Sequence, residues 1–391
     1  MMGNFWRSPK RLLIGLCLAV LLTGCAPTAQ SPATANPRTF LDMSVEFLDE
    51  YRILDKSYEG TKVGGLSAIN YDIFSGKYYV VSDDRSKLSP ARFYTLNIEL
   101  DQSGSVPQIE QVKFTKVATL TDSMKEPFRK SKIDPEGLVK SPRNSLFISS
   151  EGIPKRQIDP FIKEFDLDGN ELSSLRIPDR FLPLSPQQGI RENLGFEALA
   201  IAAPSIAADD PFRIFVAPES SLIQDRTSNA ELPEPIRLLH YVVNPIGDPV
   251  LIAEHLYPLE PAPKGTIANG LVELIALPKE GYLLSLERTL GFGGLGAKLF
   301  QISLGNATDT YRIESLAGNP ETVAPIRKTL LLDLRSLGIS LDNLEGMTLG
   351  PKFADGSQSL ILISDNNFSN DQVNQVLLFR LNNSAASATS K

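Results

Sequence analysis

The sequence repeats one short pattern five times, and this repetition limits the possible folds more than any other feature. In each copy an apolar segment begins beside Gly or an acidic residue, and a second apolar segment follows and ends close to an Asp or Glu. The copies lie roughly 60 to 76 residues apart, a spacing typical of repeat architectures. The paired segments are residues 64–69 and 78–84, 134–139 and 145–152, 196–201 and 214–219, 270–275 and 282–288, and 344–349 and 360–366.

The local pattern from about Thr39 onward is that of β-strands. Short runs rich in Val, Ile, Leu, Phe and Tyr are bounded by Gly, Pro, Asn and Asp. Four strands per unit, repeated around a ring, make a β-propeller. The fifth unit has only three runs, so its missing strand is expected within Met43–Leu54, where pairing of the N- and C-terminal strands would close the ring. We therefore predict an all-β propeller of five blades, with six as the alternative if residues 307–328 hide further strands.

The fourth unit leaves one strand ambiguous. Its outer strand is predicted at either Tyr311–Leu316 or Lys328–Leu334. Units of about 70 residues also exceed the ~40–45 residues of a compact propeller blade, so long loops are expected. Loops on a rigid scaffold are where binding sites usually lie.

Composition excludes several kinds of functional site. The chain of 391 residues has a formal net charge of −7 and no run of Lys or Arg, so nucleic-acid binding is not expected. Its two cysteines, Cys17 and Cys25, lie near the N-terminus, which excludes disulfides and thiolate sites from the folded region. With only two histidines, His240 and His255, a metal site with three His ligands is also excluded. We predict a monomer.

The N-terminal segment is similar to a bacterial lipoprotein signal. Three basic residues between positions 7 and 11 precede an apolar run of eleven residues, Leu12–Leu22. This run is shorter than the ~20 residues that span a bilayer and has the length of a signal-peptide core. Leu22-Thr23-Gly24-Cys25 follows at once and looks like a lipobox. We predict that residues 1–24 are a signal peptide and that Cys25 is the lipidated first residue of the mature chain; an ordinary secretory signal cut nearby is the alternative.

The remaining boundaries follow from composition. Residues 25–38 are rich in Ala, Pro, Ser and Thr, which predicts a flexible tether. Residues 39–382 are assigned to the propeller domain and residues 383–391 to a disordered tail. The protein is thus expected outside the cytoplasm, held to a membrane through Cys25 and facing the periplasm or on the outer membrane in a Gram-negative cell. Ala26, rather than Asp, after the lipidated Cys favours the outer membrane.

The repeated motifs also carry a family resemblance. They are residues 64–67 with 82–84, 134–138 with 150–152, 193–197 with 218–220, 287–288, and 343–347 with 364–367. Their order and number resemble the phytase-like domain family, described as "esterase-like activity of phytase". The resemblance extends over most of the predicted domain. It implies a secreted propeller with phosphoesterase or esterase activity and calcium as the candidate cofactor.

The recurring acids are expected to meet in space. In a propeller, the first strand of each blade lines a central channel, so residues near the ends of first and second strands converge at one end of it. One set, from the first strands, is Glu136, Glu197, Glu273 and Glu345. The other set, from the second strands, is Asp83, Asp84, Glu151, Glu219, Glu287 and Asp365.

Two physical arrangements would stabilise so many acids in one place. Ca²⁺ takes 6–8 oxygen ligands, including carboxylate and Asn oxygens. Arg85 and Arg288 could instead pair with the carboxylates or bind a substrate phosphate. The predicted metal ligands are Asp83, Glu151, Glu219, Glu345, Asp365 and Asn366. The predicted catalytic residues are Glu136, Glu197, Glu287, Arg288 and Arg85.

The sequence therefore predicts a lipid-anchored, metal-assisted phosphoesterase or esterase that acts on a small molecule carrying a phosphate or ester group, with Ca²⁺ as the expected cofactor. Two alternatives remain open. The propeller could be a non-catalytic binding module of the cell envelope, or a scaffold that a cation stabilises. In the scaffold interpretation, the acids bind loop N–H groups or arginines and meet no substrate.

Overall fold

The protein is a ring of five antiparallel β-sheets. The computed structural model describes residues 39–383, except residues 204, 206, 228, 230 and 319. Each of the five sheets has four strands. The first strand of every sheet contacts the first strands of both neighbouring sheets, so the ring is closed. The prediction of an all-β propeller with five blades is confirmed, and the six-bladed alternative is wrong.

The described residues form 22 strands, numbered here in chain order. The first is β1 (Met43–Ile53), and a short hairpin of β2 (Ser57–Tyr58) and β3 (Thr61–Lys62) follows it. Blades one to five, each given from its first strand, are β4–β7 (Leu66–Asp72, Lys77–Ser82, Arg92–Asp101, Gln108–Thr119), β8–β11 (Pro135–Lys140, Leu146–Ser150, Phe161–Phe165, Glu171–Ser174), β12–β15 (Phe196–Ala202, Phe212–Pro218, Glu234–Val243, Val250–Leu259), β16–β19 (Thr266–Ala276, Tyr282–Gly291, Gly294–Ser303, Arg327–Asp333) and β20–β22 (Asn343–Lys352, Gln358–Asp365, Asn374–Asn383). Short 3₁₀-helices lie in the connecting segments at Pro154–Arg156, Asp179–Phe181, Ile223–Asp225 and Leu334–Leu337.

The N-terminal strand completes the fifth blade. β1 pairs with β22 in antiparallel register, from Met43 opposite Asn383 to Ile53 opposite Asn374. This confirms the predicted closure of the ring. The outer strand of blade four is β19, which agrees with the second of the two predicted positions.

Apolar side chains fill the five interfaces between neighbouring blades. Each cluster of buried residues draws its members chiefly from two adjacent blades. Between blades two and three, for example, the rings of Phe147 and Phe212 meet edge to face with centroids 6.1 Å apart. Burial of apolar surface stabilises by about 25 cal/mol per Å². Each blade is therefore packed against two others, which fixes the inner strands that form the channel.

A buried ion pair holds the long segment before β19. Arg237 in β14 is fully buried and pairs with the carboxylates of Asp225 and Glu254. Its Nη2 also donates to the carbonyl oxygens of Ile313 at 3.1 Å and Glu314 at 3.2 Å. A buried guanidinium requires such a full set of partners. The network therefore fixes this segment against the outer strands of blade three.

The predicted signal peptide, Cys25 and the tether lie outside the described residues, as do residues 384–391 of the predicted tail. Asn383 is the last residue of β22. Within the part of the chain that the structure describes, no helix combines the length and apolar character that a membrane span requires.

Candidate functional site: the acidic channel mouth

The channel inside the ring has two different ends. We call the mouth the end at which the first strands of the blades begin and the second strands end. The base is the opposite end. Because the ladders between first and second strands share one pattern in all five blades, each blade contributes structurally equivalent residues to the mouth.

A β-bulge interrupts the mouth end of every first strand. There, at least one residue of the first strand has no partner on the second strand. Such a bulge increases the local twist and re-aims the side chain of the extra residue. The residues at this bulge position are Ser67, Glu136, Glu197, Val272 and Glu345. Three of the five blades therefore offer a glutamate from the same structural position.

The second strands supply another equivalent residue, which lies opposite the residue two positions before the bulge of the first strand. We call this the second-strand position. It is occupied by Asp83, Glu151, Glu219, Arg288 and Asp365. Four blades thus add an acid to the mouth and blade four adds an arginine.

Five acids form two overlapping clusters at the mouth. Asp134, Glu136 and Glu151 make the first triad, and Glu151, Glu197 and Glu219 make the second. Within each triad, one carboxylate oxygen from every residue lies within 4.8 Å of the others. Carboxylates so close together can ligate one hard cation. Glu151 belongs to both triads and is the centre of the arrangement.

The members of the triads differ in solvent exposure. Glu151 and Glu219 are buried, with 3% and 2% of their surface exposed, whereas Glu136 and Glu197 are partly exposed. Oε1 of Glu151 accepts a hydrogen bond from the Gly195 N–H at 2.7 Å. Oε2 of Glu197 is buried and has no hydrogen-bond partner among the described residues. A buried oxygen without a donor favours a proton or a cation beside it.

The Glu219 side chain packs directly against the backbone of Gly270. A Cβ atom at Gly270, on the first strand of the next blade, would lie 2.2 Å from Oε1 of Glu219. A contact that short is sterically forbidden. Glycine at position 270 is therefore required for this carboxylate to lean across the blade boundary.

Arg288 is buried among the acids of the mouth. Its Nη2 donates to Glu219 at 2.9 Å, and its Nη1 donates to Asn343 at 2.7 Å and to Glu345. Burial by itself would lower the pKa of Arg288, but Glu345, Glu219 and Glu197 together raise it above its ordinary value. The guanidinium is therefore charged and partly balances the carboxylates.

Arg85 lies on the opposite side of the triads and is more accessible. Its Nε donates to Oδ1 of Asp134 at 2.5 Å, and its Nη2 donates to Oδ1 of Asn193 at 2.9 Å. The Arg85 side chain is 20% exposed, compared with 13% for Arg288. Of the two arginines, Arg85 is therefore the better placed to meet a ligand from solvent.

Burial and mutual repulsion raise the pKa of the mouth carboxyls. Burial, with repulsion from Glu345 and Asp134, raises the pKa of Asp83 to about 7. Burial also raises the pKa of Glu345 to about 7, although Arg288 acts in the opposite direction. Burial first, then neighbouring acids, raise the pKa well above its ordinary value in Glu136, Glu151, Glu197 and Asp365. These groups bind protons or a cation far more readily than exposed acids do.

Strand alternation separates Glu287 from the mouth. Glu287 precedes Arg288 on β17, so the two side chains face opposite sides of the sheet. Its carboxylate accepts hydrogen bonds from the Tyr257 hydroxyl at 2.6 Å and from Nζ of Lys328 at 2.5 Å. The structure therefore brings Arg288, and not Glu287, together with the other predicted site residues.

Glu273 lies deeper in the channel than the other acids of the first strands. The bulge position of blade four is Val272, and Glu273 comes one residue later. Its Oε1 accepts hydrogen bonds from the N–H of Leu274 at 2.9 Å and of Leu199 at 3.3 Å. Glu273 therefore links the first strands of blades three and four.

Two further predicted residues are engaged by backbone groups. Oδ1 of Asn366 accepts the N–H of Gly65 at 3.2 Å and of Phe368 at 3.0 Å, which joins blade five to blade one. Oδ1 of the neighbouring Asp365 accepts the N–H of Asn367 at 2.7 Å. Asp365 nevertheless lies at the mouth, because it occupies the second-strand position opposite Asn343.

Two residues of the mouth are absent from the predicted set. Asp134 belongs to a triad and pairs with Arg85, and Asn343 binds Arg288. Both lie opposite a second-strand residue. Their signal in the sequence is their place two residues before Glu-Gly, at 134–137 and at 343–346.

The raised pKa values predict how stability depends on pH. Asp83 and Glu345, with ordinary pKa values of 3.8 and 4.5, titrate near pH 7 in the folded protein. The folded state therefore binds more protons than the unfolded state up to about pH 7, and stability falls as pH rises through this window. His240, whose pKa burial lowers to about 4, acts in the opposite direction below pH 6.5.

In chelator, the melting temperature of the protein should be higher at pH 6.5 than at pH 8.5. Added Ca²⁺ should reduce this difference in melting temperature, because a bound cation replaces protons. A melting temperature that rises between these two pH values in chelator would contradict the cluster of raised pKa values.

The fold and the mouth together define a class of protein, a five-bladed β-propeller with a dense carboxylate cluster at one end of its channel. Comparison with known families identifies the family of this chain. The chain belongs to the phytase-like family, described as "Esterase-like activity of phytase", which matches residues 61–368. The resemblance found in the sequence is confirmed.

Solved structures align with this chain only weakly. The catalytic domain of a Coprinopsis cinerea GH62 α-L-arabinofuranosidase aligns with a TM-score of 0.39 and 10% identity, covering 86% of this chain and 97% of that one. A Bombyx mori GH32 β-fructofuranosidase aligns with a TM-score of 0.36 and 11% identity, covering 88% of this chain and 63% of that one. The Neurospora crassa Pan2 WD40 domain aligns with a TM-score of 0.33 and 7% identity, covering 86% of this chain and 95% of that one. Scores this low say nothing about function. A search of curated proteins finds no significant match.

Proposed function

We propose that the mouth binds a divalent cation, with Ca²⁺ as the best fit, and that the protein hydrolyses phosphate or carboxyl esters there. The observation that carries this proposal is the pair of carboxylate triads joined at Glu151. Membership of the phytase-like family supports the same class of reaction.

The donor atoms of the mouth fit a hard cation. All five residues of the triads offer carboxylate oxygens, which Ca²⁺ prefers. Even with Arg85 and Arg288 in place, Oε2 of Glu197 and Oδ1 of Asp83 are buried without a hydrogen-bond partner among the described residues. When bound, such a cation would polarise a phosphoryl or carbonyl oxygen and acidify a bound water.

The protein's own side chains can handle the substrate and its protons. Glu136 and Glu197 are the partly exposed members of the triads, and burial with repulsion from neighbouring acids raises the pKa of both. Each therefore binds a proton more readily than an exposed glutamate does, and the one that does not ligate the cation can donate its proton to the departing ester oxygen. Arg85 offers guanidinium donors at the solvent side of the site for a phosphate oxygen.

The direct test is hydrolysis of p-nitrophenyl phosphate and p-nitrophenyl acetate by the purified full chain, with Ca²⁺ and with chelator. We expect turnover with Ca²⁺ and its loss in chelator. Glu136→Gln or Glu197→Gln, which removes a transferable proton, should lower kcat by about 10²–10⁴-fold. Glu164→Gln is the control, because Glu164 is a glutamate outside the mouth whose carboxylate accepts hydrogen bonds from the hydroxyls of Ser145 and Ser173.

The same experiment separates the alternatives. Absence of turnover on both substrates would exclude these reactions. If Ca²⁺ nevertheless raised the melting temperature, the mouth would be a cation-stabilised scaffold. Stabilisation by a ligand without product would indicate a binding module.

We also propose that the protein is anchored outside the cytoplasm through a lipid on Cys25. The basic residues, apolar run and lipobox-like motif of residues 1–25 support this location. Cys25→Ser should move the protein from the membrane fraction to the soluble fraction of cells. Wild-type protein found only in the soluble fraction would exclude the anchor.

A further inference from the structure

The base of the propeller holds a cavity. It has a volume of about 950 Å³ and receives residues from all five blades. Its walls include Tyr71, Val139, Ile201, Phe215, Leu283 and Leu349. Pockets of 300–1,000 Å³ with mostly apolar walls are typical of small-molecule sites.

The rim of this cavity is apolar. Ile73 and Phe74, in the turn between β4 and β5, are 66% and 65% exposed. Pro142, Pro211 and Pro278 line the cavity from the equivalent turns of blades two, three and four. An apolar rim favours a ligand with an apolar body.

One cation in the wall has no acidic partner. Lys140, at the end of β8, is partly buried, and its Nζ donates to the carbonyl oxygen of Ser141 at 3.3 Å. Among the described residues it forms no ion pair. Asp72 is the acid in the wall that interacts electrostatically with Lys140, but its carboxylate already accepts hydrogen bonds from the Phe74 N–H and the Ser75 hydroxyl.

The other charges of the wall are different. Arg213 pairs with Glu280, and both side chains are largely exposed at the rim. Their charges balance one another. Lys140 is therefore the group in this wall whose charge a ligand can best satisfy.

The base cavity is separate from the mouth. Between them the first strands approach closely, and a Cβ at Gly346 would lie 2.9 Å from Cα of Ala68. Glu273 also lies between the two ends of the channel, where its carboxylate accepts hydrogen bonds from backbone N–H groups of two first strands. The residues that line the base cavity include none of the five acids of the triads.

We propose that the base cavity binds a small organic anion with an apolar body, such as an aromatic or aliphatic carboxylate, whose charged group pairs with Lys140. The volume, the apolar walls and the unpaired ammonium together select this chemistry. A neutral or cationic molecule of the same size would leave the charge of Lys140 without an acidic partner.

Isothermal titration calorimetry of the full chain with 2-naphthoate and with decanoate tests the proposal, and decyltrimethylammonium serves as the cationic comparison. We expect at least one of the two carboxylates to bind and decyltrimethylammonium to bind at least tenfold more weakly. Lys140→Met keeps the length of the side chain and removes its charge, so it should weaken carboxylate binding about tenfold or more. Unchanged melting temperature shows that the variant is folded.

Lys352→Met is the matched control, because Lys352 is an exposed lysine at the same end of the propeller but outside the cavity wall. It should leave binding unchanged. The proposal is overturned if neither carboxylate binds, if Lys140→Met binds as tightly as the wild type, or if both variants weaken binding equally.

Discussion

Replacing Arg288 with Met is expected to destabilise the protein by about 3–5 kcal/mol at pH 8 in chelator, because breaking a buried pair leaves uncompensated charge. The guanidinium contacts Glu219, Glu345 and Asn343, and its side chain is only 13% exposed. Methionine restores some packing but none of these hydrogen bonds. Urea unfolding of the variant and the wild type measures the difference.

The loss should depend on pH. Arg288 opposes the rise in the pKa of Glu345, Glu197 and Asp365, so its removal raises the pKa of all three further. The folded variant then binds more protons than the folded wild type, and lowering the pH stabilises the variant more. The difference in unfolding free energy should therefore shrink from pH 8 to pH 6. Ca²⁺ should recover part of it.

Arg52→Met provides the comparison. Arg52 pairs with Glu50 at 2.8 Å, but its side chain is 53% exposed. Exposed pairs contribute about 0–1 kcal/mol. An Arg288→Met variant that lost no more stability than Arg52→Met would show that the mouth does not depend on this cation.

Replacing Glu151 with Gln should abolish most cation binding at the mouth. Glu151 is the one residue shared by both triads, so its loss removes a ligand from each. Because mutation of groups that only support a ligand already costs 10–100-fold in affinity, we expect a loss of at least about 100-fold here. Calorimetric titration of Ca²⁺ into metal-free protein measures it.

The same substitution should have the opposite effect on the metal-free protein. Gln keeps an oxygen that can accept the Gly195 N–H but removes one charge that repels Asp134 and Glu219. In chelator at pH 8 the variant should therefore melt at a higher temperature than the wild type. Glu164→Gln, outside the mouth, should leave the Ca²⁺ affinity unchanged. Unchanged Ca²⁺ affinity in Glu151→Gln would exclude the triads as the cation site.

The sequence was sufficient to predict the ring and most of its acids. Strand composition and the five repeats indicated the blade number, and the short fifth unit indicated that the N-terminal strand closes it. Convergence of Glu136, Glu151, Glu197 and Glu219 follows from that circular topology alone, because equivalent ends of equivalent strands meet around one axis.

The sequence could not predict which residues of the first and second strands pair at the mouth. In blade four, Glu287-Arg288 presents an acid and a base side by side, and only the ladder between β16 and β17 determines which one faces the channel. A bulge at Val272 likewise moves Glu273 away from the position of Glu197. Since side chains alternate along a strand, an error of one residue reverses the face.

The join between β1 and β22 also bears on how the protein assembles. Blades one to four are each built from a continuous stretch of chain, whereas blade five needs Met43 and Asn383 to meet. Contacts between residues so far apart in sequence form slowly, because a large loop must close first. During synthesis β1 is the first of these strands to be made and its partner β22 is the last, so β1 stays unpaired in the meantime. Until then its open edge can pair with another chain, so blade five is where chaperone capture or exchange of strands between copies is most readily expected.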